Sequence, residues 1–178
     1  MKNLFYYFTI SILIYSCNSD DINNNSFYNL DTNLSFKVSS IDGTDLLNPN
    51  NQNVYLEENI KIYYLNENDE VVEIYNSNAD SPRNFSITSP ENSDVNFYIF
   101  GVGLNVQGER TETEPSFYNI NNAITYIEWN EADTDTIKAN FRSGDNFLKL
   151  SKAWYNEQLI FDEDMTYNED NFPEVIKN

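Results

Sequence analysis

The side chains able to do chemistry fall into three groups. Glu128, Glu131, Asp133 and Asp135 crowd one predicted hairpin. Two carboxylates at a suitable separation can hydrolyse a glycoside, one as acid and the other as base or nucleophile. The competing reading is a solvated turn, and it weighs more in a chain with 29 acidic residues against 10 basic ones. In Asp42-Gly43-Thr44-Asp45-Leu46-Leu47-Asn48-Pro49, the oxygens of Asp42, Asp45 and Asn48 could converge on a hard cation such as calcium. The string lacks EF-hand spacing, and no acidic residue closes it before Glu57. Asp and Asn in turns ordinarily bond their own backbone. Tyr126, Trp129, Trp154 and Tyr155 have the apolar faces and polar edges of a platform for sugar rings. Such residues also fill the interior of a small sandwich.

What is missing narrows the chemistry further. The chain has no histidine, which removes the usual general base near neutral pH and the commonest metal ligand. Its single cysteine, Cys17, cannot build a zinc site, an iron–sulfur cluster or an internal disulfide. Ser-His-Asp machinery is absent for the same reason. No phosphate-binding loop or dinucleotide fingerprint is present. Gly101-Val102-Gly103 lacks a third glycine and a following helix, and reads as bulge glycines in a strand. A net charge of −19 repels phosphate backbones, so nucleic acid is not an expected partner. The expectation is a non-enzyme without a cofactor, calcium being the one candidate.

Cys17 closes an apolar run that begins at Leu4, with Lys2 before it. The run is about a dozen residues, against the roughly 20 that span a bilayer. It resembles a bacterial lipoprotein signal peptide, since Ile14-Tyr15-Ser16-Cys17 follows the order aliphatic, any, small, cysteine. The resemblance implies removal of residues 1–16 and acylation of Cys17, a durable anchor at about 0.8 kcal/mol per buried methylene. Asn18-Ser19-Asp20-Asp21 resembles the surface-export signal of Bacteroidota lipoproteins, which implies the outer membrane and exposure at the cell surface. The Asp42–Pro49 string, together with Trp154-Tyr155-Asn156, resembles segments of small Bacteroidota lipoproteins. That resemblance implies a β-rich fold and brings no activity with it. Asp135-Thr136-Ile137 resembles the O-glycosylation triplet of the same phylum.

The elements that must position these residues read as strands. Leu34–Ser39 alternates with period two; Ile60–Leu65 and Glu70–Tyr75 flank the turn Asn66–Asp69 as a hairpin. Asn84–Thr88 and Val95–Leu104 follow, the latter with a change of apolar parity that predicts a bulge at Gly101 or Gly103. Ile124–Trp129 and Asp135–Phe141 flank a turn at Glu131–Thr134, and Lys152–Tyr155 with Gln158–Phe161 form a final hairpin. No window holds a 3.6-residue period. The expected fold is all-β: one antiparallel β-sandwich, immunoglobulin-like in the broad sense. It would occupy residues 34–161, after a signal peptide (1–16) and a lipidated cysteine with flexible tether (17–33), and before an acidic tail (162–178). The expected role is a lipid-anchored surface module that binds or scaffolds without catalysis. The alternative is a glycan binder using the aromatic platform. Partners would be the membrane through the lipid, and an envelope protein or polysaccharide.

Overall fold

The computed structural model describes residues 28–177. Cys17, the signal-peptide segment and the export-like patch lie outside them. The three longest strands form the centre: β8 (Phe117–Asn130), β9 (Asp133–Gly144) and β10 (Phe147–Tyr155). Period-two burial explains why they form. Ala123, Thr125, Ile127 and Trp129 of β8, with Ile137, Ala139 and Phe141 of β9, are fully buried and alternate with half-exposed neighbours. β10 also pairs with β1 (Asn29–Asp31) and β11 (Gln158–Asp162), while β8 pairs with β7 (Glu109–Glu114) and β3 (Lys61–Leu65). β4 (Val71–Glu73) completes this eight-stranded sheet beside β3. A second sheet has four strands in the order β12 (Glu174–Lys177), β2 (Asn33–Ser40), β6 (Ile99–Gly103) and β5 (Phe85–Thr88).

The sheets pack face to face, so the fold is an all-β sandwich. Phe36 of β2 and Phe100 of β6 lie 5.4 Å apart, centroid to centroid. Phe100 meets Trp129 at 4.8 Å, and Phe36 meets Tyr155 at 5.9 Å. Such aromatic pairs contribute about 0.5–1.5 kcal/mol each beyond the area they bury. Leu34, Val38, Val102, Leu150 and Val175 fill the remaining interior.

The structure departs from the sequence reading at several places. Residues 29–31, expected in the tether, run parallel to β10, and residues 174–177, expected in the acidic tail, run parallel to β2. Both strands are short, and only Val175 of them is buried, so neither carries an alternation to read. No bulge occurs at Gly101 or Gly103, because β6 stays in register with both neighbours through Ser35↔Gly101↔Ser86. Val95 and Phe97 precede the strand, and Phe100, Val102 and Leu104 keep a single parity. The entirely exposed β7 had no apolar signal. β9 begins at Asp133, inside the expected turn. The bulge that does occur is in β8 between Ile120 and Ala123, where Asn122 takes a positive φ of 57° and donates its N–H to Asn140 Oδ1 at 3.0 Å.

Candidate functional site

The hairpin carboxylates separate. Asp135 points inward from β9 and accepts hydrogen bonds from four donors: Trp129 Nε1 at 2.7 Å, Asn156 Nδ2 at 2.6 Å, the Tyr155 hydroxyl and Lys177 Nζ. Lys177 arrives on β12 and also donates to Asp133 Oδ1 at 2.7 Å, with its ammonium 5.7 Å from the ring centroids of both Tyr55 and Trp129. Tyr55 donates to Asp133 Oδ2 at 2.6 Å. The Lys177 side chain is only 10% exposed and that of Asp135 7%. Burial alone would raise the Asp135 carboxyl; the bonds from Lys177, Tyr155 and Asn156 outweigh it and hold Asp135 below its ordinary range. Burial, then the bond to Asp135, pushes the Tyr155 phenol far up. This cluster is a buried, satisfied hub in which one carboxylate ties its own strand to three others and a turn. Nothing local in the sequence links Lys177 to Asp135; the register of β12 does. Glu128 faces the opposite way, accepting from Lys61 Nζ at 2.8 Å and the Tyr63 hydroxyl at 3.0 Å, and the Lys61 bond lowers its pKa. Glu131 stands exposed at the turn.

The calcium candidates Asp42, Asp45 and Asn48 are engaged in hydrogen bonds, most of them within their own loop. Asp42 Oδ1 accepts from the Ser40 hydroxyl and from Thr44 N–H at 3.2 Å. Asp45 Oδ1 accepts from Leu47 N–H at 2.9 Å, and its Oδ2 from Tyr98 N–H at 3.0 Å. Asn48 Oδ1 accepts from Asn50 N–H at 3.0 Å. Asp42, Asp45 Oδ1 and Asn48 stabilise turns, Asp45 Oδ2 ties the loop to the chain at Tyr98, and among the described residues no group of three or more His, Cys, Asp or Glu is placed to hold a metal.

The expected four-ring platform is not one surface. Trp129 and Tyr155 point into the core, at 0% and 6% exposure, whereas Tyr126 and Trp154 have the opposite parity and lie half-exposed on the outer face of the eight-stranded sheet. Register assembles an outward row there. Leu65 pairs with Val71, and Asn105 Nδ2 bridges the carbonyls of Leu65 and Ile124 at 2.7 and 3.0 Å. Ile124 pairs with Lys138, Lys138 with Trp154, and Trp154 with Leu159. Tyr63 and Tyr126 sit side by side in the next row. The Lys138 ammonium lies 5.0 Å from the centroid of the Trp154 ring. Thr136 of the glycosylation-like triplet is half-buried on the same face. Alternation also turns Lys61, Arg142, Lys149 and Lys152 outward here, so half of the chain's ten basic residues share one face. They pair at its margins: Lys61 with Glu128, Arg142 and Lys149 with Glu163, and Lys152 with Asp162. The sequence reading named Tyr126 and Trp154 but not Val71, Leu65, Ile124 or Leu159. Their signal was the unused parity of each strand.

Compared with protein-family models, with curated proteins and with solved structures, the chain finds no match.

Proposed function

We propose that the protein is a lipid-anchored surface protein of an outer membrane, acylated at Cys17, whose sandwich is a non-enzymatic docking module for another envelope protein. One observation carries the docking role: the outward row Val71, Leu65, Ile124, Trp154 and Leu159, which runs from β4 to β11. At about 4.8 Å per strand the row is about 24 Å wide. Val71 and Leu159 are 57% and 41% exposed. Lys138, laid over the Trp154 ring, is the one charge within the row, and ion pairs rim it; a largely apolar centre with a polar rim is the arrangement of a protein interface. Sugar stacking on this face is the weaker reading, because Lys138 already covers a face of the Trp154 ring and the Tyr63 hydroxyl is bound to Glu128. The non-enzymatic reading is supported by Asp135, whose oxygens are filled by four donors and which is held ionised with no proton to give. The anchor rests on the residues around Cys17. No helix among the described residues is long and apolar enough to cross a membrane.

Two experiments test the two halves. Mass spectrometry of the native protein should find Cys17 as an acylated first residue; an intact Met1 without fatty acid overturns the anchor. A photo-crosslinking residue in place of Leu159, in intact cells, should give one discrete protein adduct. The same residue in place of Ile176, exposed on the other sheet, should give none, and Trp154→Glu should abolish the Leu159 adduct. Equal adducts from both positions, or none from Leu159, overturn the docking reading.

A further inference from the structure

The opposite side of the sandwich carries a groove with different chemistry. It opens beside the edge strand β5, has a volume of about 640 Å³, and continues into a hollow of about 290 Å³ on the outer face of the four-stranded sheet. The two share Ser81, Phe85 and Ser86. The larger part falls within the range of small-ligand sites.

The lining selects a ligand class. Glu57, Glu58 and Asp80 bring three carboxylates, and Ser81 and Ser86 bring hydroxyls. Arg83 is the one cation in the lining, and its Nη1 donates to the carbonyls of Glu57, Glu58 and Ile60 at 3.1, 2.7 and 3.0 Å, which fixes the wall of the groove. An anionic ligand would face these carboxylates across a guanidinium already engaged with the backbone. A purely apolar ligand would leave them desolvated and unpaired. A neutral polyhydroxylated ligand donates to carboxylates and serines and lays its C–H face on an aromatic ring. Tyr75 offers that ring at the rim, 63% exposed.

The two glycines of β6 separate fold from site. A Cβ on Gly103 would collide with the Asn84 side chain, so the fold itself requires that glycine. Gly101 has no such constraint. It lacks a positive φ, and an added Cβ would meet two side-chain hydroxyls, Ser86 Oγ at 3.1 Å and Ser35 Oγ at 3.7 Å, and the Ser86 carbonyl at an ordinary contact distance of 3.9 Å. A glycine in a strand interior forfeits packing and costs backbone entropy, and it often marks close approach by a ligand. Gly101 leaves the floor of the hollow bare.

We propose that this groove is a binding site for a neutral glycan chain, with Tyr75 stacking on one sugar ring and the bare backbone at Gly101 admitting the next. The groove opens at the β5 edge and, although Tyr75 follows closely on β4, shares no lining residue with the docking row, so it does not rest on the docking reading. The test is native affinity electrophoresis of the full chain in gels containing mannan, xyloglucan or laminarin, with dextran sulfate as the anionic comparison. Retardation in at least one neutral gel is expected. It should weaken at least tenfold in Tyr75→Ala and in Gly101→Val, with an unchanged melting temperature in the first and no lower one in the second. No retardation in any neutral gel, retardation in dextran sulfate alone, or full retardation retained by both variants overturns the proposal. If Gly101→Val lowers the melting temperature, Gly101 serves the fold and not the site. Tyr75, on the surface, then decides alone.

Discussion

Asp135 shows how much of this fold hangs on one side chain. Replacing it with Ala would leave the Tyr155 hydroxyl buried without its acceptor, the Lys177 ammonium with Asp133 alone and the Trp129 N–H with only the Tyr155 oxygen at 3.2 Å. Breaking a buried pair from one side costs about 3–5 kcal/mol, whereas replacing both charges with apolar groups of similar size is often nearly neutral. Lys177→Met alone should therefore destabilise strongly, because Asp135 and Asp133 lose their shared cation. Asp135→Asn combined with Lys177→Met should recover much of the loss; denaturant midpoints of the four-member cycle measure it. The pH dependence follows from the sign of the Asp135 shift. The folded carboxyl titrates below the unfolded one, so its contribution is complete above about pH 4 and drains away as pH falls through the lower folded value. The gap in melting temperature between wild type and Asp135→Asn should narrow on acidification from pH 5 to pH 2.5. The tyrosines act at the other end of the scale. Burial pushes Tyr64 up to about 12 and raises Tyr55 and Tyr155 further, so ionisation of all three is coupled to opening of the fold. Their stabilising contribution holds below about pH 10 and is lost above it. Phenolate absorbance during alkaline titration should rise in two stages, the second coinciding with loss of the tertiary signal.

At the scale of elements, the hairpin joining β10 to β11 carries a correctable strain. Its two turn residues, Asn156 and Glu157, have φ of 43° and 72°. Positive φ at both central positions is the type I′ requirement, for which Asn-Gly is the preferred pair. Asn156 has a second role, because its side chain donates to Asp135 and accepts from Thr136 N–H. Glu157 shows no such tie, and a non-glycine residue in the left-handed region costs about 1–2 kcal/mol. Glu157→Gly should raise stability by about 1 kcal/mol, read as a rise in melting temperature of about 3 °C. The same element shows what was legible in the sequence. The final hairpin, the strand at 34–39 and β3 declared themselves by alternation, since each has one face to bury, while β4, exposed throughout, was legible from its valines and the turn before it. β7, with every side chain exposed, had nothing to declare, and β12 carries a single buried valine. The aromatic platform was readable as doubtful from the outset. Trp154 and Tyr155 are neighbours in a strand and must point to opposite faces, as must Tyr126 and Trp129 three residues apart. The hub was not readable, since Lys177 reaches Asp135 only through the parallel pairing of β12 with β2, a non-local contact.

The molecule as a whole carries a charge of −19 with its cations unevenly placed. Five of its ten basic residues stand on the outer face of the larger sheet, one is Lys177 in the hub, and Arg83 is tied to backbone carbonyls. The other faces are left acidic. Two electrostatic effects then oppose each other when salt is added. Screening weakens the exposed pairs of Lys61, Arg142 and Lys152, and such pairs contribute at most about 1 kcal/mol each. It also relieves repulsion among an acidic surplus spread over the whole surface, which destabilises the compact state. The hub is dry enough to be screened little. With 29 acidic residues against 10 basic ones, relief of repulsion outweighs the loss of the few exposed pairs. The melting temperature at pH 7 should therefore rise between 10 mM and 500 mM sodium chloride, as the Debye length shortens from about 30 Å to less than 10 Å. Potassium chloride should act equally, since the effect is one of ionic strength. A fall with salt would mean that the lysine-bearing face holds the fold together more strongly than its exposure implies, and docking on that face would then have to compete with the protein's own ion pairs.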